Sequence, residues 1–158
     1  MVLSNLTTVW VIGGADELDY TRNDVNIFNS VTMKWTLGAF LLEPRYSPTC
    51  AMILKNNQSQ SLTQIVIGGS NDYYVRLLSV EIFDDQTNSW VYGPDMIVYD
   101  GTFVNDGNNG LFLIGGMFDT FYRLRHAGSQ WEKMEIKIKT PRYSPIAFYI
   151  PSNMTNCI

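Results

Sequence analysis

One pattern, written three times, constrains this chain more than any single residue. An apolar run closes on two glycines, a second apolar run follows a polar loop, and a tryptophan ends the unit. The first copy is VWVIGG (Val9 to Gly14), VNIFN (Val25 to Asn29) and Trp35. The second is QIVIGG (Gln64 to Gly69), VEIF (Val80 to Phe83) and Trp90, and the third is LFLIGG (Leu111 to Gly116), FYRLR (Phe121 to Arg125) and Trp131. Gly13 to Gly68 spans 55 residues (68 − 13) and Gly68 to Gly115 spans 47 (115 − 68). A repeat of that period, made of short apolar runs, predicts a succession of small sheets that bury their faces against one another.

Each recurring part of the pattern has a physical reason. Two glycines after a β-branched run let the backbone take φ > 0, which a branched residue does not do cheaply, and let a neighbouring sheet come close. A tryptophan is a large flat ring suited to the space between packed sheets. Gly13, Gly14, Trp35, Gly68, Gly69, Trp90, Gly115, Gly116 and Trp131 are therefore read as structural residues that carry no chemistry.

An apolar strand closed by Gly-Gly, a mid-unit aromatic and a downstream Trp resemble the kelch repeat, over almost the whole chain. Phe28 and Phe83 stand where kelch units usually carry Tyr, and the third unit lacks the Arg and Pro that begin its siblings. The resemblance implies an all-β fold: a kelch-type β-propeller of about three four-stranded blades, and hence an incomplete propeller. The repeats are placed at approximately 1–43, 44–94 and 95–139, with a closing strand at 140–151. The propeller fragment thus runs over 1–151, and 152–158 is a C-terminal tail.

The second unit shows the whole form: strand A over Ser47–Leu54, B over Thr63–Gly69, C over Leu78–Phe83 and D over Ser89–Tyr92, each of ordinary strand length. Unit three enters at Thr102-Phe103-Val104 and turns through Asp106 to Gly110, a strong hairpin signal. Lys133 to Lys139 reads as a linker. Arg142-Tyr143-Ser144-Pro145 repeats Arg45-Tyr46-Ser47-Pro48, so Ile146 to Ile150 reads as another strand A. Met1-Val2-Leu3 reads as the stub of the first. Propellers hold 4–8 blades, and repeat units need neighbours. The expectation is the C-terminal half of a longer propeller, or a half-propeller completed by a second copy.

Composition narrows the function classes. The 158 residues carry a net charge of −4, with a pI of about 4.8, which argues against a nucleic-acid surface. No apolar run approaches the ~20 residues that span a bilayer, and the first residues lack the basic region of a signal peptide. The single histidine, His126, reads as an exposed loop residue. No His/Cys/Asp grouping has metal spacing. Galactose oxidase shares the kelch fold, but its copper needs histidine ligands that one His does not supply. Asp84-Asp85 and Asp16-Glu17 read as turn residues. The chain is read as a non-enzyme, with no catalytic residue, metal or cofactor.

What remains is a binding surface. In an antiparallel meander the B–C and D–A connections share one face. That face is expected to present Asp16, Glu17, Tyr20 and Arg22, then Asn71, Asp72, Tyr73 and Tyr74, then Phe118 and Asp119, with Arg45 and Arg142 entering from D–A loops. Tyr, Arg and Asp are interface-forming types, and the kelch resemblance implies partner binding on these loops. Asn5, Asn57 and Asn153 open N-x-S/T motifs on the opposite face and are candidate N-glycosylation acceptors. Cys50 is expected in the core, and Cys157 to pair with sequence outside this chain. The function expected is a protein–protein interaction module facing a protein partner, with further blades from upstream sequence or a second copy. An extracellular or cell-surface setting is preferred. The alternative is the cytoplasmic substrate-recognition propeller of a ubiquitin-ligase adaptor of BTB–kelch type.

Overall fold

The computed structural model describes residues 7–96, 101–105, 108, 110–115, 119–141 and 147. Eleven strands are formed among them, and no helix. Strands β1 (Thr8–Ile12), β2 (Val25–Asn29) and β3 (Lys34–Leu37) make the first sheet. The second contains β4 (Thr49–Leu54), β5 (Leu62–Ile67), β6 (Val80–Asp84) and β7 (Ser89–Tyr92). The third contains β8 (Gly101–Asn105), β9 (Leu111–Gly115), β10 (Thr120–Leu124) and β11 (Glu132–Lys137). Each sheet is an antiparallel meander in sequence order.

The apolar run of β5 explains how the sheets stack. Side chains alternate across a strand. Ile65 and Ile67 join Ile53, Val80, Leu111, Leu113, Tyr122, Leu124 and Trp131 in a core between the second and third sheets. Val66, between them in sequence, joins Val25, Leu41 and Trp90 in a core between the first and second. With both faces covered, β5 needs a continuous apolar sequence rather than an alternating one. Each fully buried aliphatic side chain contributes roughly 1.5–3 kcal/mol.

The tryptophans repeat one contact. Trp90 Nε1 donates to the Ala39 carbonyl at 3.0 Å, and Trp131 Nε1 donates to the Pro94 carbonyl at 3.0 Å. Each acceptor lies four residues beyond the preceding unit's tryptophan, so the rings lock each sheet to the one before it. Trp90 and Trp131 are 2% and 9% exposed.

Several expectations need correcting. Trp35, expected between packed sheets, is 57% exposed, because no described sheet lies on its side of the first sheet. Lys133 to Lys139, expected as a linker, is β11 through Lys137. Met134 and Lys133 pair with Phe121 and Tyr122 there, and the paired backbone outweighs the charged sequence. Cys50 is exposed rather than in the core; it alternates with Ala51, which packs on the core shared with the third sheet. His126 is half-buried, in the turn between β10 and β11. The stub at 1–3, Gly116, Cys157 and, apart from Ala147, the strand expected at Ile146 to Ile150 lie outside the described residues.

Candidate interaction face

The loops that follow the glycine doublets are built alike. In the β1–β2 loop, Asp16 Oδ1 accepts the backbone N–H of Leu18 and of Tyr20, both at 3.0 Å. In the β5–β6 loop, Asn71 Oδ1 accepts those of Tyr73 at 3.0 Å and Val75 at 3.1 Å. Asp16 and Asn71 are 55 residues apart, the interval of the doublets. Asp19 and Tyr74 are also 55 apart, and both have positive φ, at 63° and 56°. Short polar side chains that bond to nearby backbone favour such turns. Bridges Ala15–Thr21 and Ser70–Arg76 close the bases of the two loops.

Asp72 ties one loop to the other: its Oδ1 accepts the Thr21 backbone N–H at 2.5 Å. That hydrogen bond holds the Asp72 carboxyl below its ordinary pKa. Arg22 Nε donates to Asp24 Oδ1 at 2.9 Å, with Asp16 Oδ2 at 3.7 Å from its Nη1. The Arg22 hydrogen bond likewise lowers the Asp24 pKa, and Arg22 is itself raised. Around these fixed charges stand exposed apolar and aromatic groups: Leu18, Tyr20, Tyr46 and Val75, with Tyr73 and Tyr74 85% and 84% exposed. A cleft of about 140 Å³ between the loops is lined by Asp19, Thr21, Tyr46, Asp72 and Tyr74 among others. A larger one, of about 610 Å³, runs past Tyr46, Tyr74 and Arg76 to Met96 and Phe103.

Arg45 is a correction. Expected on this face, it is 0% exposed. Its Nε and Nη2 donate to Glu81 Oε1 at 3.1 and 2.8 Å, and its Nη1 to the carbonyls of Gly68 and Ser79 at 2.9 and 3.0 Å. Nη2 also reaches Ser79 Oγ at 2.9 Å and Glu43 Oε2 at 3.2 Å. Glu81, equally buried, accepts the Leu42 and Glu43 backbone N–H at 2.7 and 3.2 Å. The fork of guanidinium donors is satisfied inside, where it clamps the β3–β4 connection onto the second sheet. Its neighbour Tyr46 is exposed instead, lines both clefts, and is absent from the sequence expectation for this face. The signal lay in Glu81: a carboxylate between buried apolar strand residues needs a cation.

Of the other expected residues, Asp16, Glu17, Tyr20, Arg22, Asn71, Asp72, Tyr73 and Tyr74 come from the two joined loops. Asp119 is bound at 2.9 Å by Lys137 of its own sheet, which lowers its pKa. Phe118 and Arg142 lie outside the described residues. On the opposite side, Asn57 is exposed in the β4–β5 turn, while Asn5 and Asn153 lie outside the described residues. Among the described residues, no three of His, Cys, Asp and Glu gather as a metal site, and no helix is long and apolar enough to cross a membrane.

Comparison with known proteins bears on the fold. The Kelch motif family matches residues 65–97. An F-box/kelch-repeat protein of Arabidopsis thaliana is 32% identical over 88 residues, covering 54% of this chain and 23% of the plant protein. The solved structure of YjhT superposes with a TM-score of 0.62 at 18% identity, over 87% of this chain and 51% of that one. The chain therefore spans less than a quarter of the plant relative and about half of YjhT.

Proposed function

From the premise that this chain is a kelch-repeat protein with the all-β fold of an incomplete propeller, we propose that it is a non-enzymatic module whose joined β1–β2 and β5–β6 loops grip a protein partner. Kelch repeats generally mediate protein–protein interaction. The observation that carries the reading here is the Asp72–Thr21 bond, which joins two like-built loops on which Tyr20, Tyr73 and Tyr74 are exposed. Exposed tyrosines on a pre-ordered frame bind at low entropic cost, and such rings concentrate interface energy.

The test is a quantitative capture experiment with two variants. Tyr73→Ala/Tyr74→Ala is expected to lose the proteins that wild type retains, with an unchanged melt. Asn57→Gln, on the opposite side, is expected to keep them. Equal retention by both variants overturns the reading.

An extracellular or cell-surface setting is our first choice, with Asn57 as an exposed acceptor for N-glycosylation. Glycosidase treatment after secretory expression is expected to raise gel mobility, and an unchanged mobility removes this support. A second reading is favoured by the plant relative, whose name joins an F-box to kelch repeats: the recognition propeller of an intracellular ubiquitin-ligase adaptor. Upstream coding sequence separates the two, by a signal peptide or by an adaptor domain.

A further inference from the structure

The outer face of the first sheet has the makings of an interface. Val9, Phe28 and Trp35 lie in one cross-strand row, and Val11, Asn26 and Leu37 in another. Val9, Val11, Trp35 and Leu37 are exposed and Phe28 is half-buried. Two of these positions recur 55 residues on as Val66 and Trp90, and there both are covered by the first sheet. The face thus has the chemistry of a sheet that receives another sheet, down to an indole whose counterparts each donate to the preceding sheet. At the other end of the stack, the third sheet turns Phe112, Ile114 and Phe121 away from the core formed by Leu113 and Tyr122. All three are half-buried, and the Arg123 guanidinium lies over Phe112 at 5.7 Å.

We propose that the outer face of the first sheet docks on the outer side of the third sheet of a second copy of this chain, so that two copies close a ring of six sheets. Two observations select a second copy. The chain carries both surfaces, an open receiving face at one end and a further apolar sheet face at the other. It also superposes on 51% of a longer kelch-fold chain, so two copies supply one chain's worth of sheets. Six is an ordinary propeller number. Each of the two contacts is head-to-tail, and closure limits the assembly to a dimer.

Sedimentation velocity of the whole 158-residue chain tests this. Wild type is expected to be a dimer of 18.0 kDa protomers at micromolar concentration. Trp35→Glu and Leu37→Lys, both at exposed positions, are each expected to raise the dimer dissociation constant by at least about 30-fold, with far-UV dichroism unchanged. Val31→Lys, in the β2–β3 turn, is expected to leave it unaltered. So is Tyr73→Ala, which keeps this surface distinct from the partner-binding face. Amine cross-linking is expected to join Lys34 of one copy to Lys133 or Lys137 of the other. A monomeric wild type, dimers that survive both Trp35→Glu and Leu37→Lys, or cross-links only between the two Lys34 residues overturn the proposal.

Discussion

The first and second sheets are written in nearly the same sequence and end in different surroundings. Phe28–Trp35 and Phe83–Trp90 are paired in the same register, with ring centroids 5.1 and 5.4 Å apart. Gly13 and Gly14 have φ of 61° and 104°, and Gly68 and Gly69 have 64° and 89°. Yet Trp90 is covered and hydrogen-bonded across to the first sheet, whereas Trp35 is open. Strand, turn and cross-strand row are therefore local properties of the repeat. Burial is supplied by the neighbour. A second difference is polar: the second sheet buries Glu81 with Arg45, and the first has Asn26 at the matching position, bonded to Asp24 at 2.7 Å.

Mutating matched positions tests that contrast. The largest difference is expected at the tryptophans. Trp90→Ala removes a fully packed ring and should cost about 3–5 kcal/mol in urea unfolding. Trp35→Ala, measured in chain too dilute to associate, should cost less than about 1 kcal/mol. Equal costs show that Trp35 is covered within a single chain. Next come the polar positions. Glu81→Ala leaves the Arg45 charge buried without its main partner and should also cost about 3–5 kcal/mol. Asn26→Ala should cost about 1 kcal/mol.

The doublets give a smaller and sharper pair. Both Gly69→Val and Gly14→Val force a branched residue to positive φ, at about 1–3 kcal/mol. A Cβ on Gly69 also falls 2.6 Å from the Tyr46 carbonyl oxygen, while one on Gly14 meets nothing within 4 Å. Gly69→Val should therefore melt lower, and equal melting temperatures remove close approach as a reason for the doublet. The smallest effect is the link between the two sheets at Asp72. Its pKa is lowered in the folded state, so its stabilisation is present above the unfolded carboxylate value of about 3.9 and is lost as pH falls through the folded one. Thermal melts between pH 2 and 6 should show a shallower acid limb in Asp72→Asn than in wild type.

Much of this was legible in the sequence because the repeat encodes local geometry. Strand D of the second unit, Ser89 to Tyr92, coincides with β7, and the Asp16 and Asn71 loops, expected on one face, are joined by the Asp72–Thr21 bond. What escaped was set by distant partners. Arg45 looks like a surface charge in the sequence because its buried partner, Glu81, lies 36 positions away. Tyr46 follows from that burial, since neighbours in an extended chain face opposite ways and Arg45 takes the inward side. Lys and Glu in β11 hid a strand whose reason for existing is the backbone of β10. Trp35 looked like its two siblings, and only the side of the sheet on which nothing described is packed sets it apart.

Solvent exchange of the indole Nε1 protons, followed by NMR, tests the central contrast most directly. Leu37→Lys is the variant to use, because it blocks docking between copies. Trp90 and Trp131, each donating to a carbonyl of the preceding sheet, are expected to exchange slowly, and Trp35 at a rate near that of a free indole. A Trp35 proton as protected as that of Trp90, or a Trp90 proton as labile as that of Trp35, contradicts the account.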